Sequence, residues 1–271
     1  MKQEKAKVIL QLNARFIEQV KEIAELDNYK YNISENPKSV RPLIKSKAHF
    51  FSLPLVNDKI GAIVATSGEE HLVILNSSLS RGYEHFHLLH ELYHIEHEAS
   101  NSHFAEVTST DSLYLSETSN PEDYKKMIID RRASLYASLL LVNTEELLSK
   151  YGTFRKAYGN DVLKIACAVM EWFEAPFAMS LMRLYEENLI TEDEFFQHIE
   201  TDITLIKDTF TAIDLDQGVL RPSYSSSKET IEEIFVKFYE SGSIPQAVVR
   251  QWAEHYALTV ERYLIKEELH E

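Results

Sequence analysis

The chain has 271 residues, of which 44% are hydrophobic and 26% charged, with a formal charge of −15. This is a globular composition, long enough for one large domain or one domain with an appendage, and its acidity argues against general nucleic-acid binding because phosphates would be repelled. The single cysteine, Cys167, rules out an intramolecular disulfide and any cysteine-rich metal cluster, suits a reducing compartment, and leaves histidine and carboxylate as the plentiful metal ligands.

The opening M-K-Q-E-K-A-K-V-I-L has no signal-peptide character, and no apolar run approaches membrane-spanning length. A cytoplasmic location without a membrane partner is expected. Residues 4–27 place Val8, Leu12, Phe16, Val20 and Ala24 at helical spacing, which predicts one amphipathic helix. After the loop Y-N-I-S-E-N-P-K-S come three runs rich in β-formers: H-F-F-S-L-P-L-V, K-I-G-A-I-V-A and H-L-V-I-L-N. The S-G-E-E between the last two reads as a hairpin turn, so a small antiparallel sheet of about three strands is expected. Ser78 or Ser80 then caps a helix that carries H-L-L-H-E-L-Y-H-I-E-H.

Residues 99–126 are polar and read as a functional or mobile loop. Helix returns at D-R-R-A-S-L-Y-A-S-L-L-L-V, and again from about Val162 to Glu187. Segment 161–200 has a helix-turn-helix-like outline, but it holds nine Asp/Glu against two Lys/Arg, the wrong sign for a DNA groove. The tail from about 225 reads as a helical hairpin, with Ser226 and Glu229 at capping-box spacing and Gly242 at a stop. The fold class is therefore α+β, a small N-terminal sheet with helix elsewhere.

The chemistry sits in His90-Glu91-Leu92-Tyr93-His94, an H-E-x-x-H pattern. Residues four apart lie on one helical face, so two imidazoles can converge on one zinc. Glu91, flanking the metal without filling a ligand position, is placed to take a proton from a zinc-activated water and pass it to a leaving amine. His87 and His97 lie near the same face, but one straight helix cannot wrap three ligands around a tetrahedral metal, so both read as supporting or surface histidines. Glu96 and Glu98 read as solvent-facing charges. A catalytic zinc needs a third protein ligand. Asp130, on a helix whose small residues Ala133 and Ala137 allow close approach, is the favoured candidate, with Glu117, Glu122 and Asp123 in the polar segment as competitors. Tyr83, Tyr93 and Tyr136 and the nearby histidines are possible oxyanion donors.

V-I-L-N-S-S-L-S followed by F-H-L-L-H-E-L-Y-H resembles the ImmA/IrrE family of zinc metallopeptidases, where a strand ending in Asn leads into a pattern like F-T-L-A-H-E-L-G-H. D-R-R-A-S-L-Y-A-S-L-L-L resembles that family's E-x-x-A-x-x-F-A-x-x-L-L, and A-C-A-V-M-E-W-F-E-A-P-F-A-M-S-L-M-R-L-Y-E-E-N-L-I resembles a later helical segment. The resemblance covers roughly residues 55–190. It implies a metallopeptidase domain over 1–190, followed by a helical extension over 191–271. It also implies Zn2+ held by His90, His94 and Asp130, with Glu91 as general base. Asp130 stands where glutamate is usual, Tyr93 where glycine is, and His87 where threonine is. The implied activity is cleavage of a specific helix-turn-helix repressor. The alternative is a non-hydrolytic module that inactivates such a partner by docking.

Overall fold

The computed structural model describes residues 2–57, 59–98, 104–109, 121–222 and 230–255. Helix α1 (Lys2–Tyr31) leads through α2 (Val40–Lys47) into strands β1 (His49–Leu53), β2 (Ile60–Ser67) and β3 (Glu70–Asn76). Helix α3 (Arg81–Tyr93), β4 (Phe104–Ser109) and α4 (Pro121–Leu141) follow. Among the described residues, the helices that follow are α5 (Thr144–Tyr158), α6 (Val162–Phe173), α7 (Phe177–Glu186), α8 (Glu192–His198), α9 (Ile203–Ala212), α10 (Ile231–Ser241) and α11 (Gln246–His255). The α+β class holds.

The sheet differs from expectation in two ways. Among the described residues it has four strands in the order β1-β3-β2-β4, and it is mixed, because β1 runs parallel to β3. The hairpin at its centre is as read: Ser67 pairs with Glu70 across a two-residue turn in which Gly68 has φ +64°. The chain leaves β1, crosses to form β2, and returns through β3 between them, which makes the β1–β3 pairing parallel. The fourth strand, F-A-E-V-T-S, lies inside the segment read as a loop and pairs antiparallel with β2. With strands on both sides and cover on both faces, β2 is buried at every position, the continuous apolar pattern of a doubly covered strand.

Alternation along β2 and β3 divides the interior. Ala62, Val64, Val73 and Leu75 face the larger core, built with α1, α3, α4, α6 and α7. Ile63, Ala65, Leu72 and Ile74 face a second core closed by Ile234, Phe235 and Phe238 of α10 and Val249, Trp252 and Ala253 of α11. The helical hairpin read in the tail thus forms the outer layer of the sheet. Its capping box is Thr230 with Glu233, and Gly242 ends α10 in the left-handed conformation. The Ser226–Glu229 pair lies outside the described residues.

Three helical expectations change in detail. In α1 the buried stripe runs through Ala6 and Ile9, leaving Val8 exposed. The helix expected over 162–187 is two helices bent by 108°, broken where Glu174 adopts φ +47° and Pro176 removes a backbone donor. Near that break Trp172 is half-exposed, its indole N–H donating to Glu146 at 2.9 Å. Helix α4 begins at Pro121, so Asp130 sits inside it rather than near its start. Among the described residues no single helix is long and apolar enough to cross a membrane.

Candidate metal centre

The end of β3 fixes where α3 starts. Asn76 is buried, accepts from the backbone N–H of Leu55 and of Ser78 at 3.0 Å each, and donates to the Ile60 carbonyl at 2.8 Å. Ser80 occupies the N-cap position as read, although its side chain makes no capping bond. The helix runs into the inner core on Phe86, Leu88, Leu89 and Leu92. It then loosens into a π-helical turn, His94–Glu98. Such turns are rare and favour functional sites.

His90, Glu91 and His94 are all fully buried. The Nε2 atoms of His90 and His94 lie 3.1 Å apart, and Asp130 Oδ1 reaches within 3.3 Å of His90 Nε2. One ligand atom from each of His90, His94 and Asp130 lies within 4.8 Å of the others, the only such trio among the described residues. Of the competitors, Glu117 lies outside the described residues. Glu122 and Asp123 fall on the first turn of α4, and their side chains lie outside the described set.

The outer ring nitrogens show why this trio suits a cation. His94 Nδ1 lies 3.2 Å from Glu98 Oε2. An ionised carboxylate only accepts, so that nitrogen carries the proton and Nε2 presents its lone pair inward. His90 Nδ1 lies 3.2 Å from Ser134 Oγ, which can accept in the same way. Burial holds the His90 pKa below the ordinary histidine value, against the pull of Asp130, so the ring is neutral at neutral pH. Burial raises the Asp130 pKa, but the His90 contact and nearby positive charge outweigh it and keep the carboxyl below its usual range. Two imidazole nitrogens and one carboxylate oxygen therefore converge in a buried place. That donor set fits a metal ion and is costly without one. The anchoring of each outer nitrogen by a neighbouring oxygen is the support that metal-ligating histidines regularly have.

Of the four flanking residues, the two glutamates depart from their sequence reading, while His87 and His97 stay outside the converging trio as read. Glu98, read as solvent-facing, braces His94. Glu96, read the same way, is largely covered: it pairs with Lys47 and, at 3.8 Å, with Lys30, and accepts from Tyr31 Oη at 3.2 Å. His97 pairs with Asp27 at 2.7 Å. His87 is fully buried, and neither ring nitrogen has a hydrogen-bond partner among the described residues. Its ring stacks near Tyr83 and fills the space left by the missing side chain of Gly61, where a bulge interrupts the β2–β4 ladder. Burial pushes its pKa down to about 3. Of the possible oxyanion donors, Tyr136 is committed, since its hydroxyl donates to Asp27 at 2.7 Å. Tyr93 is buried with its ring 5.4 Å from that of Tyr136.

Sequence reasoning missed Ser134 and Asp27. Ser134 stands four residues after Asp130, hence on the same face of α4, and the same spacing relates Glu98 to His94. Asp27 had no local signal.

No curated protein matches the chain. Residues 45–185, just over half of it, match the peptidase M78 family, described as the IrrE N-terminal-like domain, and that match contains all three converging ligand residues and Glu91. The chain belongs to the peptidase M78 family, with a metallopeptidase-like domain whose His90, His94 and Asp130 are able to hold a metal ion.

Proposed function

We propose that the protein is a zinc-dependent endopeptidase acting in the cytoplasm on one specific protein, a helix-turn-helix repressor, without binding nucleic acid itself. The observation that carries this reading is the convergence of His90, His94 and Asp130 beside a buried Glu91. Zinc, when held there, would lower the pKa of a bound water to about 7 and polarise a scissile carbonyl. Glu91 follows His90 directly, so its side chain leaves the helix about 100° away from the ligand and borders the site without occupying it. Its carboxylate accepts the proton of the attacking water and returns it to the leaving amine nitrogen. Ser134 and Glu98 orient the two imidazoles.

Choice of substrate rests on the family resemblance. The acidic chain favours a basic partner such as a DNA-binding repressor, and phosphates would be repelled. Asp130 is one methylene shorter than the glutamate usual at its position, which is the argument for the docking alternative. Its approach to 3.3 Å from His90 Nε2 supports a full set of three ligands, which a hydrolytic zinc requires.

The test is Glu91→Gln, assayed against a candidate repressor by intact-mass spectrometry. The variant should keep one zinc per chain and lose cleavage by about 10²–10⁴-fold. Undiminished cleavage by the purified variant would remove Glu91 from the mechanism. Release of the repressor from DNA by both proteins, with no bond cut, would establish docking.

A further inference from the structure

The metal ligands lie on two separate elements. His90 and His94 belong to α3 and its π turn, and Asp130 belongs to α4. A carboxylate from a third element ties the two together. Asp27, near the end of α1, is buried and accepts through one oxygen, Oδ2, from both His97 Nε2 and Tyr136 Oη, each at 2.7 Å. His97 stands three residues after His94 on the π turn. Tyr136 stands six residues after Asp130 and two after Ser134, the residue that braces His90. The rings of Tyr93, His97 and Tyr136 pack around the junction at centroid distances of 5.3–5.8 Å. The residue before His97 on the π turn is held by the same helix and its neighbour: Glu96 pairs with Lys30 of α1 and with Lys47 of α2.

We propose that Asp27 is a positioning residue of the metal centre: by joining His97 to Tyr136 it fixes the separation between the ligand-bearing turn and the ligand-bearing helix, and so sets metal affinity. The inference rests on the metal-centre reading above and extends it to α1, which lies outside the family match. Three ligands on two elements bind tightly only if the elements are held at the right spacing before the ion arrives; otherwise ordering them is charged against binding. Two charge-assisted hydrogen bonds to a single buried oxygen form a stiff bracket. Burial works against the charge of Asp27, but the hydrogen bonds from His97 and Tyr136 hold its pKa below the carboxylate range, so the acceptor stays ionised.

The alternative is that the trio merely stabilises the fold, and metal affinity separates the two. The experiment compares wild type, Asp27→Ala and Tyr136→Phe as full chains, with zinc affinity measured by competition against a chromophoric chelator and site geometry by the visible spectrum of bound Co2+. Asp27→Ala should weaken zinc binding by about 10–100-fold and alter the cobalt bands. Tyr136→Phe, which removes one oxygen and one leg of the bracket, should move both readouts the same way by less. If Asp27→Ala fails to fold, Tyr136→Phe alone decides. Wild-type zinc affinity and cobalt spectrum in the folded variants, even at reduced stability, would overturn the inference and leave the metal centre standing. Wild type that binds neither ion would overturn the metal centre, and the inference with it.

Discussion

The two faces of the sheet are packed by opposite means. The outer face meets α10 and α11 through Ile63, Ala65, Leu72 and Ile74 against Phe235, Phe238, Val249 and Trp252, a mainly apolar interface with one hydrogen bond from Ser67 to Gln251. The inner face carries apolar cover too, but at the ligand-bearing turn it buries His87, His90, Glu91, His94 and Asp27. Apolar packing tolerates many arrangements of similar volume, whereas a buried polar group is stable only with particular partners at particular distances. The outer face therefore supplies cohesion, and the inner face gives up some of it to hold its polar groups in register.

That contrast can be broken from either side. The largest effect is expected on the outer face, where Trp252 is fully buried. Trp252→Ala should cost about 3–5 kcal/mol in a denaturant titration, with zinc stoichiometry of the folded fraction unchanged. A matching loss of zinc would mean that the faces are not independent. Next is Gly61→Ala, because an added Cβ would overlap the His87 ring. It should destabilise by about 1–3 kcal/mol, and His87→Thr in the same chain should recover part of that. Equal stability of the single and double variants would show that the strand, not the ring, yields.

The smallest effect sharpens the comparison through pH. His87 binds a proton near 6.5 in the unfolded chain but only near 3 when folded. Its neutral burial is thus fully favourable above pH 6.5, and stability is lost progressively as pH falls from there toward 3. At pH 5 the loss amounts to about 2 kcal/mol. In metal-free protein, His87→Phe should show that much less acid sensitivity between pH 7 and pH 5 than wild type does. Equal sensitivity would mean that the ring becomes solvated without global unfolding.

Much of the candidate ligand set was legible because helical periodicity is local. His90 and His94 share a face by spacing alone, and Glu98 and Ser134 obey the same four-residue rule relative to His94 and Asp130. What spacing could not say is which of several acids and hydroxyls would turn inward. The small-residue face of its helix singled out Asp130 and the family resemblance reinforced it, whereas Asp27 had no signal, because its partners lie 70 and 109 positions away along the chain. In the fold, the β2–β3 hairpin followed from a two-residue Gly turn. The parallel placement of β1 did not, since strand order depends on contacts far apart in sequence. Strand β4 was hidden in a segment rich in Ser and Thr, where its six residues gave too short an alternation. The break at Pro176 was present in the sequence and outweighed there by the apolar run on either side of it.

The placement of the two tryptophans has an optical consequence. Trp252 is sealed inside the outer layer, while Trp172 stands half in solvent with Lys150 over its ring at 3.6 Å. A dissolved quencher therefore reaches one indole and not the other. Detachment of the outer helical layer registers as the moment the second emission becomes quenchable, while the spectrum of a bound cobalt ion reports on the inner face. Loss of cohesion and loss of register can thus be timed separately in one sample.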